Sequence, residues 1–207
     1  MPSFDLSLYL VTDRRLSQGR SLEYIVSEAI KGGVTMVQLR EKDCSSLEFY
    51  ELAIKLKQIL TTHKIPLIIN DRLDIALACN ADGIHIGQSD IPYKVARNIL
   101  GYEKIIGLSV ENMEQVLLSN DLDVDYIGIS PVFSTSTKTD TAPPFGIDGI
   151  REVKKTCRHQ TVAIGGIHLD HAKEIYQAGA NGIAVVSEIM SAKDPCEASM
   201  KLKAELK

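Results

Sequence analysis

Between Met36 and Asp43 the chain reads MVQLREKD, with Gln38, Arg40 and Lys42 alternating against Val37 and Leu39. In a strand, a side-chain period of two puts the amide, the guanidinium and the ammonium on one face. Such a face suits an anion, because cationic donors make the strongest hydrogen bonds to phosphate and carboxylate oxygens. Taken alone, the octapeptide also reads as a half-exposed strand with a solvated face. The rest of the chain has to decide.

Two carboxylates stand out further on. Asp71 ends the run PLIIND, and Asp90 follows GIHIG within the sequence Gln88-Ser89-Asp90. Two hard oxygen ligands with open positions suit Mg²⁺ bound to a phosphate-bearing substrate. The plainer reading makes Asp71 a helix cap and Asp90 the start of a turn before Pro92. Gly165-Gly166 and Val186-Ser187 each close an apolar run. Bare backbone N–H groups at such points can meet a phosphate, although a tight turn needs the same glycines. Ser134-Thr135-Ser136-Thr137-Lys138 lies in the longest polar segment, 130–148. It reads as a lid over phosphate groups or as a polar connector. His168 and His171 have the spacing HxxH. A metal pair is one reading. The start of an exposed helix, with Asp170 as its cap, is the plainer one. His85 sits inside GIHIG with its role open.

The elements that must position these residues alternate regularly. Apolar runs at 8–12, 36–40, 66–71, 83–87, 105–110, 126–129, 161–164 and 183–186 read as strands. Several are continuously apolar, as expected of strands covered on both faces. Amphipathic segments separate them. Ser21 caps a helix to Lys31 with Leu22, Ile25, Val26, Ala29 and Ile30 at helical spacing. Ser46 caps another through Leu60, with Leu47, Tyr50, Leu52, Ile54, Leu56 and Ile59 as its buried stripe. Helices are also expected near 73–79, 93–100, 113–119, 149–155, 169–178 and 195–206. This is the order of an α/β protein of the (β/α)8 TIM-barrel type, a single compact domain over residues 1–207. An open doubly wound sheet would want a Gly-rich first turn, and no GxGxxG follows the first strand. In such a barrel, chemistry lies at the C-terminal strand ends. Gln38, Arg40, Lys42, Asn70, Asp71, Gln88, Ser89, Asp90, Ser109, Gly165, Gly166, Ser187 and the segment 134–138 all fall at or just beyond such ends.

The chain has 207 residues, 44% of them hydrophobic, and a formal net charge of -4. That supports a globular core. Lys and Arg are scattered and Trp is absent, which argues against nucleic acid as a partner. Cys44, Cys79, Cys157 and Cys196 show no CxxC or zinc-finger spacing and read as reduced, mostly buried thiols. No apolar stretch reaches membrane length and none resembles a secretion signal, so a cytoplasmic protein is expected.

Together, LYLVTD, MVQLREKD, PLIINDRLDIAL, ADGIHIGQSD, IGLSVEN, PVFSTSTK, APPFGIDGI, VAIGGI and AGANGIAVVSEI resemble the thiamine-phosphate synthase family over essentially the whole chain. The resemblance implies a (β/α)8 barrel that joins a hydroxymethylpyrimidine diphosphate to a thiazole phosphate, using Mg²⁺ and releasing diphosphate. By motif, Gln38, Arg40, Lys42, Asn70, Ser109 and Lys138 would contact the pyrimidine diphosphate. Arg40, Lys42, Ser109 and Lys138 would carry the catalysis. Asp71 and Asp90 would hold Mg²⁺. Thr135, Ser136, Thr137, Gly166, Val186 and Ser187 would meet the thiazole phosphate. Ser130 and Ser136 stand where the family often has Gly and Pro, and neither change removes a charge. A paralogous thiazole tautomerase is one alternative. It is expected to carry His after the fifth-strand Ser-Val pair, where this chain has Glu111. A non-catalytic binder of thiamine precursors is another, and it is expected to have lost the metal carboxylates. Partners would then be small molecules, with the oligomeric state left open.

Overall fold

The computed structural model describes residues 4–135 and 142–206. Eight parallel strands close into a barrel in chain order. They are β1 (Leu8–Val11), β2 (Met36–Leu39), β3 (Leu67–Asn70), β4 (Gly83–Ile86), β5 (Ile105–Val110), β6 (Tyr126–Ile129), β7 (Gln160–Ile164) and β8 (Gly182–Val185). The barrel closes where Tyr9 of β1 pairs with Ala184 of β8. Helices α1 (Leu22–Lys31), α2 (Ser46–Thr62), α3 (Leu73–Ala78), α4 (Tyr93–Leu100), α5 (Met113–Ser119), α6 (Gly146–Thr156), α7 (Leu169–Gln177), α8 (Ser187–Met190) and α9 (Pro195–Glu205) surround it.

Alternation along each strand divides the core in two. Leu8, Leu10, Val37, Leu39, Ile69 and Ile84 point outward into the layer beneath the helices. Tyr9, Val11, Met36, Ile68, Ile105, Tyr126, Val162 and Ala184 fill the lumen. The strands therefore read as apolar runs because both faces are covered, one by helices and one by the barrel's own interior.

The expected elements are present, with local differences. Arg40 lies just past β2 rather than in it. Its backbone N–H donates to Thr12 Oγ1 at 3.1 Å. The cap of α2 is Ser45, whose hydroxyl accepts from the Glu48 amide at 3.2 Å, so Ser46 is already helical. The buried stripe of α2 is Phe49, Ala53, Leu56 and Leu60, while Leu47 is exposed. That stripe keeps i, i+4, i+7, i+11 spacing, which places its residues on one face. His168 is the N-cap of α7, its backbone N–H donating to His171 Nδ1 at 3.3 Å, and Asp170 lies inside the helix. Helix α6 begins at Gly146, inside the expected polar segment, and a 3-10 turn at Arg14–Leu16 and the short α8 are additional. Among the cysteines only Cys79 is fully buried; Cys44, Cys157 and Cys196 are half-buried, and all four are free. No helix among the described residues is long and apolar enough to cross a membrane.

The end of the barrel opposite the strand C-termini is pinned by a buried ion pair. Arg97 on α4 donates to Asp125 Oδ2 at 2.6 Å and to the carbonyls of Gly101 and Lys104 at 2.9 and 2.7 Å. The same Asp125 oxygen accepts from the Ile106 amide at 2.8 Å. One guanidinium thus ties α4 to the entries of β5 and β6, with its charge fully hydrogen-bonded as burial demands.

Candidate active site

The C-terminal strand ends surround a cavity of about 720 Å³. Gln38, Arg40, Lys42, Asn70, Asp71, Asp90, Ser109, Thr135, Gly166, Val186 and Ser187 all line it. Ser136, Thr137 and Lys138 lie outside the described residues.

On one side, β2, β3 and β4 deliver charge. Lys42 Nζ lies 2.5 Å from Asp71 Oδ2. Asp71 holds a left-handed backbone at φ 59, just past β3. Asp is among the few side chains that tolerate this region. The cap of α3 is Arg72, without a side-chain cap bond, so Asp71 does not cap a helix. Asp90 does shape a turn, since its Oδ2 accepts from the Gly87 amide at 2.7 Å. Burial pushes the Asp90 carboxyl above the usual carboxylate range, opposed by the Gly87 amide and reinforced by the adjacent Asp71. An Asp90 carboxylate whose charge is disfavoured by burial and by its neighbour is part of a donor set that a divalent cation would relieve. This set fits Mg²⁺. Among the described residues no cluster of three or more His, Cys, Asp or Glu could hold a metal, so the remaining ligands would be water or substrate oxygens. Arg40, whose side chain is mostly covered, keeps Nη1 3.9 Å from the buried Asp13 Oδ2.

On the opposite side, β7 and β8 present backbone. Gly166 adopts φ +62, and a Cβ there would fall 2.4 Å from the Ser134 carbonyl oxygen. Only glycine lets the loop after β6 approach the end of β7 this closely. Val186 and Ser187 open α8 beside it. His168 lines the same end and holds Glu188 Oε1 at 2.7 Å through Nδ1. The His171 ring packs on Phe133, with centroids 4.2 Å apart. The HxxH spacing thus lies at the start of α7 beside the site, with His171 Nδ1 accepting from the His168 backbone N–H.

The floor contains what the sequence did not disclose. Tyr9 lines the cavity, and its hydroxyl lies 2.9 Å from that of Tyr126. Gln38 Nε2 donates to Tyr9 at 2.9 Å. His85 points into the lumen, with Nδ1 3.0 Å from the Tyr126 hydroxyl and Nε2 2.8 Å from Ser109 Oγ. Burial lowers the His85 pKa to about 4, against the pull of Asp90, so the ring is neutral near pH 7. Tyr9 and Tyr126 sit in the apolar runs LYLV and YIGI. A phenol inside a run covered on both faces was the available signal for them, because a buried hydroxyl needs a partner.

The fold and the site define a (β/α)8 barrel enzyme of the kind that works at its strand ends, with carboxylates and cations on one side of the mouth and glycine-bearing backbone on the other. The family model for thiamine monophosphate synthase matches residues 8–189. A thiamine-phosphate synthase of Albidiferax ferrireducens is 52% identical over 198 residues, covering 96% of this chain and 90% of that protein. One from Syntrophomonas wolfei is 53% identical over 194 residues, covering 94% and 93%. A solved thiamine phosphate pyrophosphorylase from Pyrococcus furiosus superposes with a TM-score of 0.89 at 37% identity, covering 97% and 95% of the two chains. The chain belongs to the thiamine monophosphate synthase family, and is accordingly a transferase of thiamine biosynthesis.

Proposed function

We propose that the chain joins an aminopyrimidine carrying a diphosphooxymethyl group to a methylthiazole carrying a phosphooxyethyl group, giving thiamine phosphate and diphosphate. The observation that supports this reading is that charged strand ends and glycine-bearing strand ends line one cavity from two sides. Lys42, Asp71 and Asp90 stand at the ends of β2, β3 and β4, while Gly166, Val186 and Ser187 stand at the ends of β7 and β8. A substrate with a diphosphate and one with a monophosphate could face each other across the lumen.

The bond that breaks joins the pyrimidine methylene to a diphosphate oxygen, and the electron pair leaves with the diphosphate. The aminopyrimidine spreads the positive charge left on the methylene, so no side chain need act as a nucleophile. The thiazole nitrogen then gives its lone pair to that carbon, and the product is a thiazolium. No proton changes hands. Arg40 and Lys42 stabilise the charge that grows on the leaving group, and Lys138 joins them in this reading. Asp71 and Asp90 would hold Mg²⁺, which when bound neutralises diphosphate oxygens. Asn70, Gln38 and Ser109 bind the pyrimidine diphosphate. Thr135, Ser136, Thr137, Gly166, Val186 and Ser187 hold the thiazole phosphate and so aim its nitrogen.

Purified protein supplied with both substrates and Mg²⁺ is expected to yield thiamine phosphate and diphosphate in equal amounts. Failure to form the product under those conditions refutes the proposal.

A further inference from the structure

Gln38, Tyr9, Tyr126, His85 and Ser109 form one unbranched hydrogen-bonded chain across the barrel floor, with successive links of 2.9, 2.9, 3.0 and 2.8 Å. Four of the five, all but Ser109, are buried. The room for it is built in. A Cβ on Gly107 would lie 2.1 Å from the Tyr126 ring and 2.6 Å from His85 Nδ1, and one on Gly128 would lie 3.1 Å from His85 Cε1. The His85 and Tyr126 rings stack with centroids 5.5 Å apart. Proton counting fixes the direction of every link. Gln38 Nε2 can only donate, so Tyr9 accepts. The Tyr9 hydrogen then goes to Tyr126, because a buried hydroxyl hydrogen without an acceptor is costly. Tyr126 in turn donates to His85 Nδ1. A neutral imidazole accepting at Nδ1 carries its hydrogen on Nε2, and that hydrogen goes to Ser109 Oγ. The Ser109 hydrogen is left for the cavity, as is Gln38 Oε1 at the other end.

We propose that Tyr9 and Tyr126 are positioning residues that hold His85 in its Nε2–H tautomer, and so commit Ser109 as a donor and Gln38 as an acceptor toward the substrate ring. The two ends always have opposite polarity, because reversing one link reverses all of them. An aminopyrimidine matches this polarity, with bare ring nitrogens to accept and an amino group to donate. An oxo-pyrimidine puts N–H where the amino compound has a bare nitrogen, and the same polarity rejects it. A site wired to satisfy one polarity leaves buried groups unpaired with the other. The substrate part of this inference rests on the function proposed above; the wiring does not.

The test has two arms. In substrate-free ¹⁵N-labelled protein, the imidazole nitrogens of His85 are expected to show Nε2 protonated and Nδ1 bare, and an Nδ1–H ring overturns the wiring. In the coupling assay, Tyr126→Phe, which keeps the ring and removes only the hydroxyl, is expected to lower kcat/KM about 10- to 100-fold, as loss of an outer-shell partner does. Tyr126→Phe combined with Ser109→Ala should lose less than the product of the two single losses, because part of the Tyr126→Phe loss is carried through Ser109. Losses that multiply would show a merely structural role and overturn the proposal. If Tyr126→Phe fails to fold, Tyr9→Phe combined with Gln38→Ala provides the corresponding comparison at the other end of the chain. A wild-type protein that forms no product overturns the substrate assignment, while the tautomer still decides the wiring.

Discussion

Asp71 occupies a left-handed backbone conformation at φ 59 and meets the Lys42 ammonium through Oδ2. This carboxylate faces the cavity rim and leaves the cap of α3 to Arg72. Asp71→Ala is expected to lower kcat by about 100-fold, the scale of losing one charge-organising group at a transition state. The melting temperature should fall by a few degrees, because Ala tolerates the left-handed region less well than Asp, and a variant that retained full rate would show that Asp71 has no part in the reaction. Chelation of divalent cations is expected to stop turnover in the wild type, with Mg²⁺ restoring it. His85 makes a different prediction. Its pKa falls from 6.5 to about 4 on folding because burial disfavours the charged ring. Between those values the unfolded chain binds the extra proton, so stability is complete above about pH 6.5 and is lost as the pH falls toward 4. The loss attributable to this ring is up to about 3 kcal/mol. Urea unfolding at pH 7 and pH 4.5 measures it, and His85→Asn should flatten the dependence. The polar residues at the rim were legible in the sequence because charged side chains cannot hide in apolar runs. The lumen phenols were not, because Tyr9 and Tyr126 look apolar until their register is known.

At the scale of elements, the strands carry the site and the helices carry its stability. The strand ends were legible because Arg40, Lys42, Asn70 and Asp71 interrupt runs such as MVQL and LIIN. Helix faces were less so. In α2, Leu47, Phe49, Tyr50, Leu52 and Leu56 fit more than one stripe, and packing on the barrel selects the face of Phe49, Ala53, Leu56 and Leu60. The caps differ for a related reason. Ser45 and Ser46 are both capable, and the one with extended backbone takes the role. The most consequential element contact is the buried Arg97–Asp125 pair. Arg97→Leu leaves Asp125 buried without its counter-ion and is expected to cost about 3–5 kcal/mol. Denaturant unfolding measures this, and a loss below about 1 kcal/mol would mean that the pair does not hold α4 to β5 and β6.

For the whole molecule, closure of eight strands converts separate polar strand ends into one mouth. The alternation of strand and helix made a two-faced parallel sheet legible, and the lack of a GxGxxG turn after β1 favoured the barrel over an open doubly wound sheet. The chain order also separates the charged ends of β2 to β4 from the glycine-bearing ends of β7 and β8. In the proposed function these two sides serve different substrates. Steady-state kinetics of Lys42→Ala and Ser187→Ala against each substrate test this division most directly. Lys42→Ala is expected to weaken kcat/KM for the pyrimidine diphosphate on the order of 100-fold while leaving the KM for the thiazole phosphate near its wild-type value. Ser187→Ala is expected to raise the KM for the thiazole phosphate and leave that for the pyrimidine diphosphate unchanged. If each variant impaired both substrates alike, or the two effects were exchanged, the division of the cavity into two anion ends would be contradicted.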